Sequence, residues 1–360
     1  MTGAGGEGTC PVTGQGGGSG PIVGIVGATG AVGTTMLRLL RDRRFPAAEV
    51  VPLASARSAG KVLDGGLKVE ELADRNIGGI DIAIFSAGGS ISREWAPKFV
   101  EKGAIVIDNS SAFRADPEVP LVVSEVNGDL VAQTPKGIIA NPNCTTMAFM
   151  PPMKALHDVY GLRSLVASSY QAVGGAGQKG MDELAEQIPT LLGQREKLVD
   201  AGAEAYASVT ASVHAKPIAF NVVPWLGSEK EGGYTDEELK MLSESRKILD
   251  LPELTVAPTC VRVPVMVGHA IAIRATFARE VDVDEAKAAL AAMPGVALDD
   301  VPTPLEWAGR DEVVVGRIRK DLADPCSLNL FVVGDNLLKG AALNTIQIAE
   351  LLVEKGLVRT

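Results

Sequence analysis

Apolar residues along this chain fall into two signatures: short unbroken runs, and stretches that return to an apolar residue every three or four positions. From Pro21 onward the two interleave. Ile22–Val26 is an unbroken run of β type, followed by a glycine turn and by Ala31–Leu40 with helical periodicity. Further strands are predicted at Val50–Ala54, Ile80–Phe85 and Ala104–Asp108, with a helix near Ser92–Lys102. Strands alternating with helices imply right-handed βαβ units and a parallel sheet. Beyond residue 140 the pattern changes to longer strands at Leu165–Tyr170, Val261–Met266, Ala270–Phe277, Val313–Arg319 and Leu328–Val333. Helices at Gly180–Leu192 and Thr235–Leu249 lie between them. The expected fold is α/β: a parallel-sheet domain over residues 21–142 and an α+β domain over 143–336. The second domain should hold a mixed, largely antiparallel sheet with helices on one face. A long amphipathic helix, Asn336–Glu354, should pack back on the first domain and bring 337–360 into it.

With 360 residues the chain is long enough for two cores. A net charge of −10 lacks the basic footprint that nucleic acid or an acidic membrane would require. No apolar run approaches the ~18 residues of a membrane-spanning helix. Residues 1–20 are glycine-rich, with neither a basic start nor an apolar stretch, so they read as a flexible tail and not as a secretory signal. The four cysteines, Cys10, Cys144, Cys260 and Cys326, show no CxxC pairing and no close histidine. That spacing predicts neither a disulfide framework nor a metal site, and it fits a reducing cytoplasm.

Two segments carry chemistry. The first is Gly27-Ala-Thr-Gly-Ala-Val-Gly33, at the junction of the first strand and helix. Glycine there lets the backbone approach a pyrophosphate, which the helix N-terminus then stabilises, as in a Rossmann-type dinucleotide site. Gly27, Thr29, Gly30, Ala31, Val32 and Gly33 are the expected contacts; a turn serving only strand–helix packing is the plainer alternative. The second strand ends in Leu53-Ala-Ser-Ala-Arg-Ser-Ala-Gly-Lys61, without the acid that holds an NAD ribose. Ser55, Arg57 and Ser58 offer hydroxyls and a guanidinium suited to a 2′-phosphate, which predicts NADP(H). A solvated basic loop would look the same.

The second segment is Asn141-Pro-Asn-Cys-Thr-Thr146, which places Cys144 at a helix start. There the dipole and unpaired N–H groups should lower the thiol pKa and make Cys144 a nucleophile. Pro151 and Pro152 should bend or break that helix about two turns in. Three histidines could serve as acid–base. His157 sits on the polar side of a helix end and His214 in an irregular stretch, which leaves His269 at the head of a strand. Arg262, in an otherwise apolar strand, needs an anion, for which a carboxylate is the natural partner.

These segments, with Ser55–Gly60, Ser86-Ala-Gly-Gly89, Asn109–Arg114, Gln171–Gly175, Glu237–Lys240, Arg262–His269 and Asn336–Asn344, fall in an order that resembles the aspartate-semialdehyde dehydrogenases, closest to the bacterial NADP-dependent branch. The resemblance covers everything from residue 21 onward. It implies that Cys144 forms a thioester, with His269 as acid–base, Gln171 orienting the acyl group and Asn143 supporting the cysteine turn. It implies Arg262 on the substrate carboxylate, Glu237 on its amino group, and Arg114 and Lys240 on phosphate. Ser86, Ala87, Gly88, Gly174 and Asn336 would complete the cofactor site. It further implies a homodimer joined through the second domain. The reaction would be NADPH-dependent reduction of L-4-aspartyl phosphate, leading to lysine, methionine, threonine and isoleucine. An N-acetyl-γ-glutamyl-phosphate reductase would run the same chemistry on a longer, N-acylated substrate, but that family reads Gly-Cys where this chain has Asn143-Cys144. A non-catalytic NADP-binding regulator would not need Cys144, Gln171, Arg262 and His269 together.

Overall fold

The first sheet is parallel throughout, with β1 (Ile22–Val26), β2 (Glu49–Ala54), β3 (Glu70–Glu71), β4 (Ile82–Phe85), β5 (Ile105–Asp108) and β6 (Ile138–Ala140) in the order β3-β2-β1-β4-β5-β6. In this computed structural model residues 19–358 are described, so all but the end of the expected tail lies outside them. Helices α1 (Ala31–Asp42), α2 (Gly89–Glu101) and the short α3 (Ser124–Asn127) make the connections. The strand order reverses between β1 and β4, and such a switch point opens a crevice at the carboxyl ends of the strands.

Then α4 (Cys144–Tyr160) leads into β7 (Leu162–Gln171), α5 (Gln178–Leu192), α6 (Arg195–Asp200), α7 (Gly202–Tyr206) and α8 (Asp236–Leu249). The chain continues through β8 (Thr255–Arg262), β9 (His269–Phe277), α9 (Val283–Ala292), β10 (Val296–Leu298), α10 (Pro304–Trp307), β11 (Val313–Lys320) and β12 (Ser327–Gly334). The second sheet has the order β10-β11-β12-β9-β7-β8. Its three central pairings are antiparallel and its two outer ones parallel. The mixed, largely antiparallel sheet expected from the longer apolar strands is therefore present.

One core runs from the α2 side of the first sheet through Met147, Phe149, Met150 and Met153 of α4 to Ile271, Ile273 and Leu330 of the second sheet. The opposite face of the first sheet packs on α1 and on α11 (Leu343–Glu354), through Met36, Leu39, Ile346 and Leu352. No described helix is long and apolar enough to cross a membrane.

Three elements differ from expectation. Helix α4 continues through Pro151 and Pro152 to Tyr160. Both prolines are buried among core side chains, and packing on both sides offsets the lost backbone bonds. The strand expected at Val261–Met266 instead ends at Arg262 and begins at Thr255. Pro264 cannot donate to a ladder, whereas Pro258 is tolerated because β8 lies at the sheet edge. The helix expected from Asn336 is divided, with a π-helical turn at Leu338–Ala342 before α11. Glycine is needed at position 340 of that turn, since a Cβ there would lie 2.9 Å from the Cβ of Cys144. Single π turns often sit at functional sites.

Candidate active site

The ends of four neighbouring strands form one rim. Gln171 ends β7 and pairs with Arg262, which ends β8. His269 opens β9 opposite Gly334 of β12, and Asn336 follows two residues later. Across from this rim, β6 of the first sheet runs through Asn141 and Pro142 into α4. Asn143 caps that helix, its Oδ1 accepting from the Thr145 and Thr146 amides at 2.9 and 3.3 Å. Cys144 is the first helical residue, and its Sγ lies 3.3 Å from His269 Nε2.

His269 is fully buried, and burial together with the Arg262 guanidinium holds its pKa well below the usual imidazole value. The expected depression of the thiol pKa is not found. Burial, reinforced by the Glu237 carboxylate, pushes Cys144 up to about 11, against the opposing pull of Arg114 and Arg262. Desolvation by the surrounding protein outweighs the pull of the two guanidiniums. Cys260, which is buried, is raised to about 12 by that burial.

Arg262 donates from Nη1 to the Ala172 carbonyl at 2.6 Å and has no carboxylate partner among the described residues. Burial lowers its pKa, so a charge that is costly to leave unpaired stands ready for an anion. Glu237 is a node: its Oε1 accepts from Asn143 Nδ2 at 2.9 Å and Gln171 Nε2 at 3.3 Å, and its Oε2 from Lys240 at 3.1 Å. Lys240 also pairs with Asp236 at 3.0 Å. The Glu237–Lys240 pair, which by spacing alone looks like a solvated helix pair, is thus turned inward. Arg114 donates to the Asn141 and Asn109 carbonyls at 2.8 and 2.9 Å and to Glu244 at 3.1 Å. One N–H on each terminal nitrogen stays free for an anion.

Glu244 escaped sequence reading. It is buried, and its Oε2 accepts the Asn143 amide at 2.6 Å while Oε1 holds Arg114. It lies seven residues after Glu237 on α8, hence on the same helix face; that spacing was the available signal. The other histidines lie elsewhere. His157 Nδ1 accepts the Leu162 amide at 3.1 Å at the end of α4. His214, with its side chain buried, bonds Glu183 at 2.8 Å.

The residues expected to hold a dinucleotide line the carboxyl edge of the first sheet. Gly27 has φ +89°, and a Cβ there would meet the Ser86 carbonyl at 2.5 Å. At Gly33 a Cβ would meet the Gly27 carbonyl at 2.2 Å. Thr29 and Gly30 are exposed, and Ala31 and Val32 begin α1 with no acidic residue in the first turn. Ser55, Arg57 and Ser58 follow β2, and Ser86, Ala87 and Gly88 follow β4. At the far end, a Cβ on Gly174 would meet the Met266 carbonyl at 2.7 Å. Asn336 Oδ1 accepts the Gly268 amide at 2.9 Å, and its buried Nδ2 has no protein partner. An orphaned amide donor of this kind fits a carboxamide oxygen, so the residues present suit a nicotinamide dinucleotide.

Comparison with known proteins matches this layout. Residues 22–134 fit the model of the semialdehyde dehydrogenase NAD binding domain, and residues 153–339 that of the semialdehyde dehydrogenase dimerisation domain. The aspartate-semialdehyde dehydrogenase of Streptomyces akiyoshiensis is 54% identical over 92% of this chain and 98% of its own. That of Aquifex aeolicus is 47% identical over 93% and 99%. The chain belongs to the aspartate-semialdehyde dehydrogenases. Among solved members of this family, Vibrio cholerae aspartate semialdehyde dehydrogenase II complexed with ASA superposes with a TM-score of 0.87 at 42% identity, covering 93% of this chain and 98% of that one. The Candida albicans enzyme, solved with NADP, gives 0.72 at 25% identity, covering 94% and 99%. The family and the two-part fold implied by the sequence motifs are therefore both present.

Proposed function

We propose that this aspartate-semialdehyde dehydrogenase makes L-aspartate 4-semialdehyde from L-4-aspartyl phosphate, with NADPH as reductant and Cys144 as the nucleophile. The approach of Cys144 Sγ to His269 Nε2 at 3.3 Å, beside an Arg262 without a carboxylate partner, carries the reading. The sulfur attacks the acyl carbon, the carbon–oxygen bond to phosphate breaks, and a thioester remains on Cys144. NADPH, which the Gly27–Gly33 turn and Asn336 would hold, would supply the hydride that reduces the thioester. His269, as acid–base, gives a proton to the oxygen of that carbon as hydride arrives and takes it back as the thiohemiacetal collapses. Expulsion of the thiolate then frees the aldehyde. Arg262 fixes the substrate carboxylate, Glu237 its amino group, and Arg114 with Lys240 the phosphate. The Gly27–Gly33 turn would hold the pyrophosphate and Asn336 the carboxamide.

The product enters amino-acid biosynthesis. A reducing cytoplasm suits an enzyme whose described cysteines, Cys144, Cys260 and Cys326, are free thiols. A homodimer would use the second sheet, whose strand β7 leaves Val166 and Tyr170 exposed. The deciding assay is phosphate-dependent oxidation of aspartate semialdehyde with NADP⁺, run beside the N-acetylated glutamate analogue. Turnover of the analogue alone would overturn the substrate assignment.

Two substitutions test the binding roles. Arg57→Ala should weaken NADPH about 10- to 150-fold, the loss of one charge-assisted bond of about 1.5–3 kcal/mol, and leave NADH nearly unchanged. Titrating both cofactors against the variant checks this; equal losses would place the 2′-phosphate elsewhere. Arg262→Lys keeps the charge but loses the guanidinium fork. Its kcat/KM should fall by a similar factor while the Kd of NADP⁺ stays constant, and near-normal kinetics would move the carboxylate to another arginine.

A further inference from the structure

Helix α8 closes on Arg246 and Lys247, and a lysine in a last turn ordinarily complements the helix dipole from solvent. Lys247 instead reaches across to the first domain. Its Nζ donates to the main-chain carbonyls of Arg114, Asp116 and Val119 at 2.9, 2.7 and 2.8 Å. An ammonium has three N–H groups and no acceptor, so these bonds use every donor it has. Lys247 therefore has no donor left for a ligand. The three carbonyls lie on the irregular segment that follows β5 and carries Arg114. The entry of that segment is tied within the first domain. There the buried Asp108 carboxylate accepts from Ser92 Oγ at 2.7 Å and from the amide and Oγ of Ser110 at 3.0 and 2.7 Å. Its exit, Val119, is buried in the core. Between these anchors the Asp116 carboxylate is taken by Lys136 at 2.6 Å, which leaves its carbonyl to Lys247.

Arg114 is thus held from α8 at both ends. Glu244 takes its guanidinium at 3.1 Å, and Lys247, three residues further along the helix, takes its carbonyl at 2.9 Å. The guanidinium is near enough to Cys144 for its charge to act on the thiol. Three carbonyl dipoles aimed at one point repel one another unless a cation sits among them. Without the ammonium the segment would relax, and the free N–H groups of Arg114 would turn from the pocket that Cys144 faces. We propose that Lys247 is a positioning residue for the phosphate step: it holds the Arg114 segment so that the guanidinium meets phosphate, and itself touches neither substrate nor cofactor. This rests on the reading above in which Arg114 binds phosphate. Phosphate affinity is then set partly from the second domain, by the helix that also carries Glu237 and Lys240.

The test is steady-state kinetics of full-length Lys247→Met in the oxidative direction, varying inorganic phosphate, aspartate semialdehyde and NADP⁺ in turn. The KM of phosphate should rise about 10- to 100-fold, the scale of effect when a positioned group moves by an ångström or so. The KM of aspartate semialdehyde, whose charges Arg262 and Glu237 hold, and the Kd of NADP⁺ should stay near wild type. A purely structural role would instead lower Tm and the active fraction, and so kcat, without moving any KM. Lys247→Gln, with its N–H donors on a shorter, neutral arm, should give a smaller rise in phosphate KM. It decides the matter where Lys247→Met does not fold. Arg114→Gln removes the guanidinium itself and should raise the phosphate KM at least as far. Adding Lys247→Met to Arg114→Gln should then have little further effect. An unchanged phosphate KM in the folded Lys247 variants, beside a raised one in Arg114→Gln, overturns the positioning role and leaves the reading of Arg114 standing. An unchanged phosphate KM in Arg114→Gln overturns both. Equal rises for phosphate and semialdehyde would show general loosening, and additive rises in the double variant would show a charge acting directly on phosphate; either result overturns the proposal.

Discussion

Cys144→Ala is expected to give a folded enzyme that has lost essentially all turnover, a fall on the order of 10⁶-fold in kcat, as when another nucleophilic enzyme loses its attacking group. Folding should survive because alanine keeps the Cβ against which the π turn at Gly340 packs. The Asn143 cap, which uses only main-chain amides of Thr145 and Thr146, is also untouched. Peptide mapping after iodoacetamide treatment gives a second check. In the wild-type unliganded enzyme, labelling of the Cys144 peptide should rise with pH toward about 11, because only the thiolate reacts and burial holds its pKa there. Residual turnover within about a hundredfold of wild type, on a preparation free of wild-type enzyme, would remove the thioester from the mechanism.

Much of the site was legible because its parts sit at punctuation marks in the sequence. Glycines between a strand and a helix, an Asn-Pro turn before a cysteine, and a histidine after a glycine all mark element ends, and element ends form this rim. That logic brought together Cys144 and His269, which lie 125 positions apart. It also placed the cofactor turn and the two kinds of sheet. What escaped it depends on tertiary neighbours. The sign of the thiol shift depends on how much protein surrounds the sulfur, which a helix-start pattern cannot reveal. Pro151 and Pro152 are tolerated because both faces of α4 are packed, and the sequence window around them carries no trace of that packing. The need for glycine at position 340, in the π turn Leu338–Ala342, comes from Cys144, nearly two hundred residues earlier.

Glu244 shows most clearly how a residue outside the expected set can govern the nucleophile. Its carboxylate is buried, with one oxygen on the Asn143 amide and the other on Arg114, whose side chain is itself largely buried. Burial raises the Glu244 pKa, and Arg114 works against that rise. Glu244→Ala should therefore do two things at once. It leaves the Arg114 guanidinium with main-chain carbonyls alone, and breaking a buried pair from one side costs about 3–5 kcal/mol. For a domain of this size that corresponds to a fall in Tm on the order of 10 °C. It also frees the amide of the residue that caps α4, so the Cys144 turn loosens and kcat should fall by up to about 10²-fold, the effect of displacing a reacting group by an ångström or so. Glu244→Gln keeps an acceptor for the Asn143 amide and should recover most of the kcat but less of the Tm, since the Arg114 charge stays unpaired. Calorimetry and steady-state kinetics on the two variants separate these effects. Wild-type kcat in Glu244→Ala would show that the Asn143 cap holds the nucleophile without help from α8.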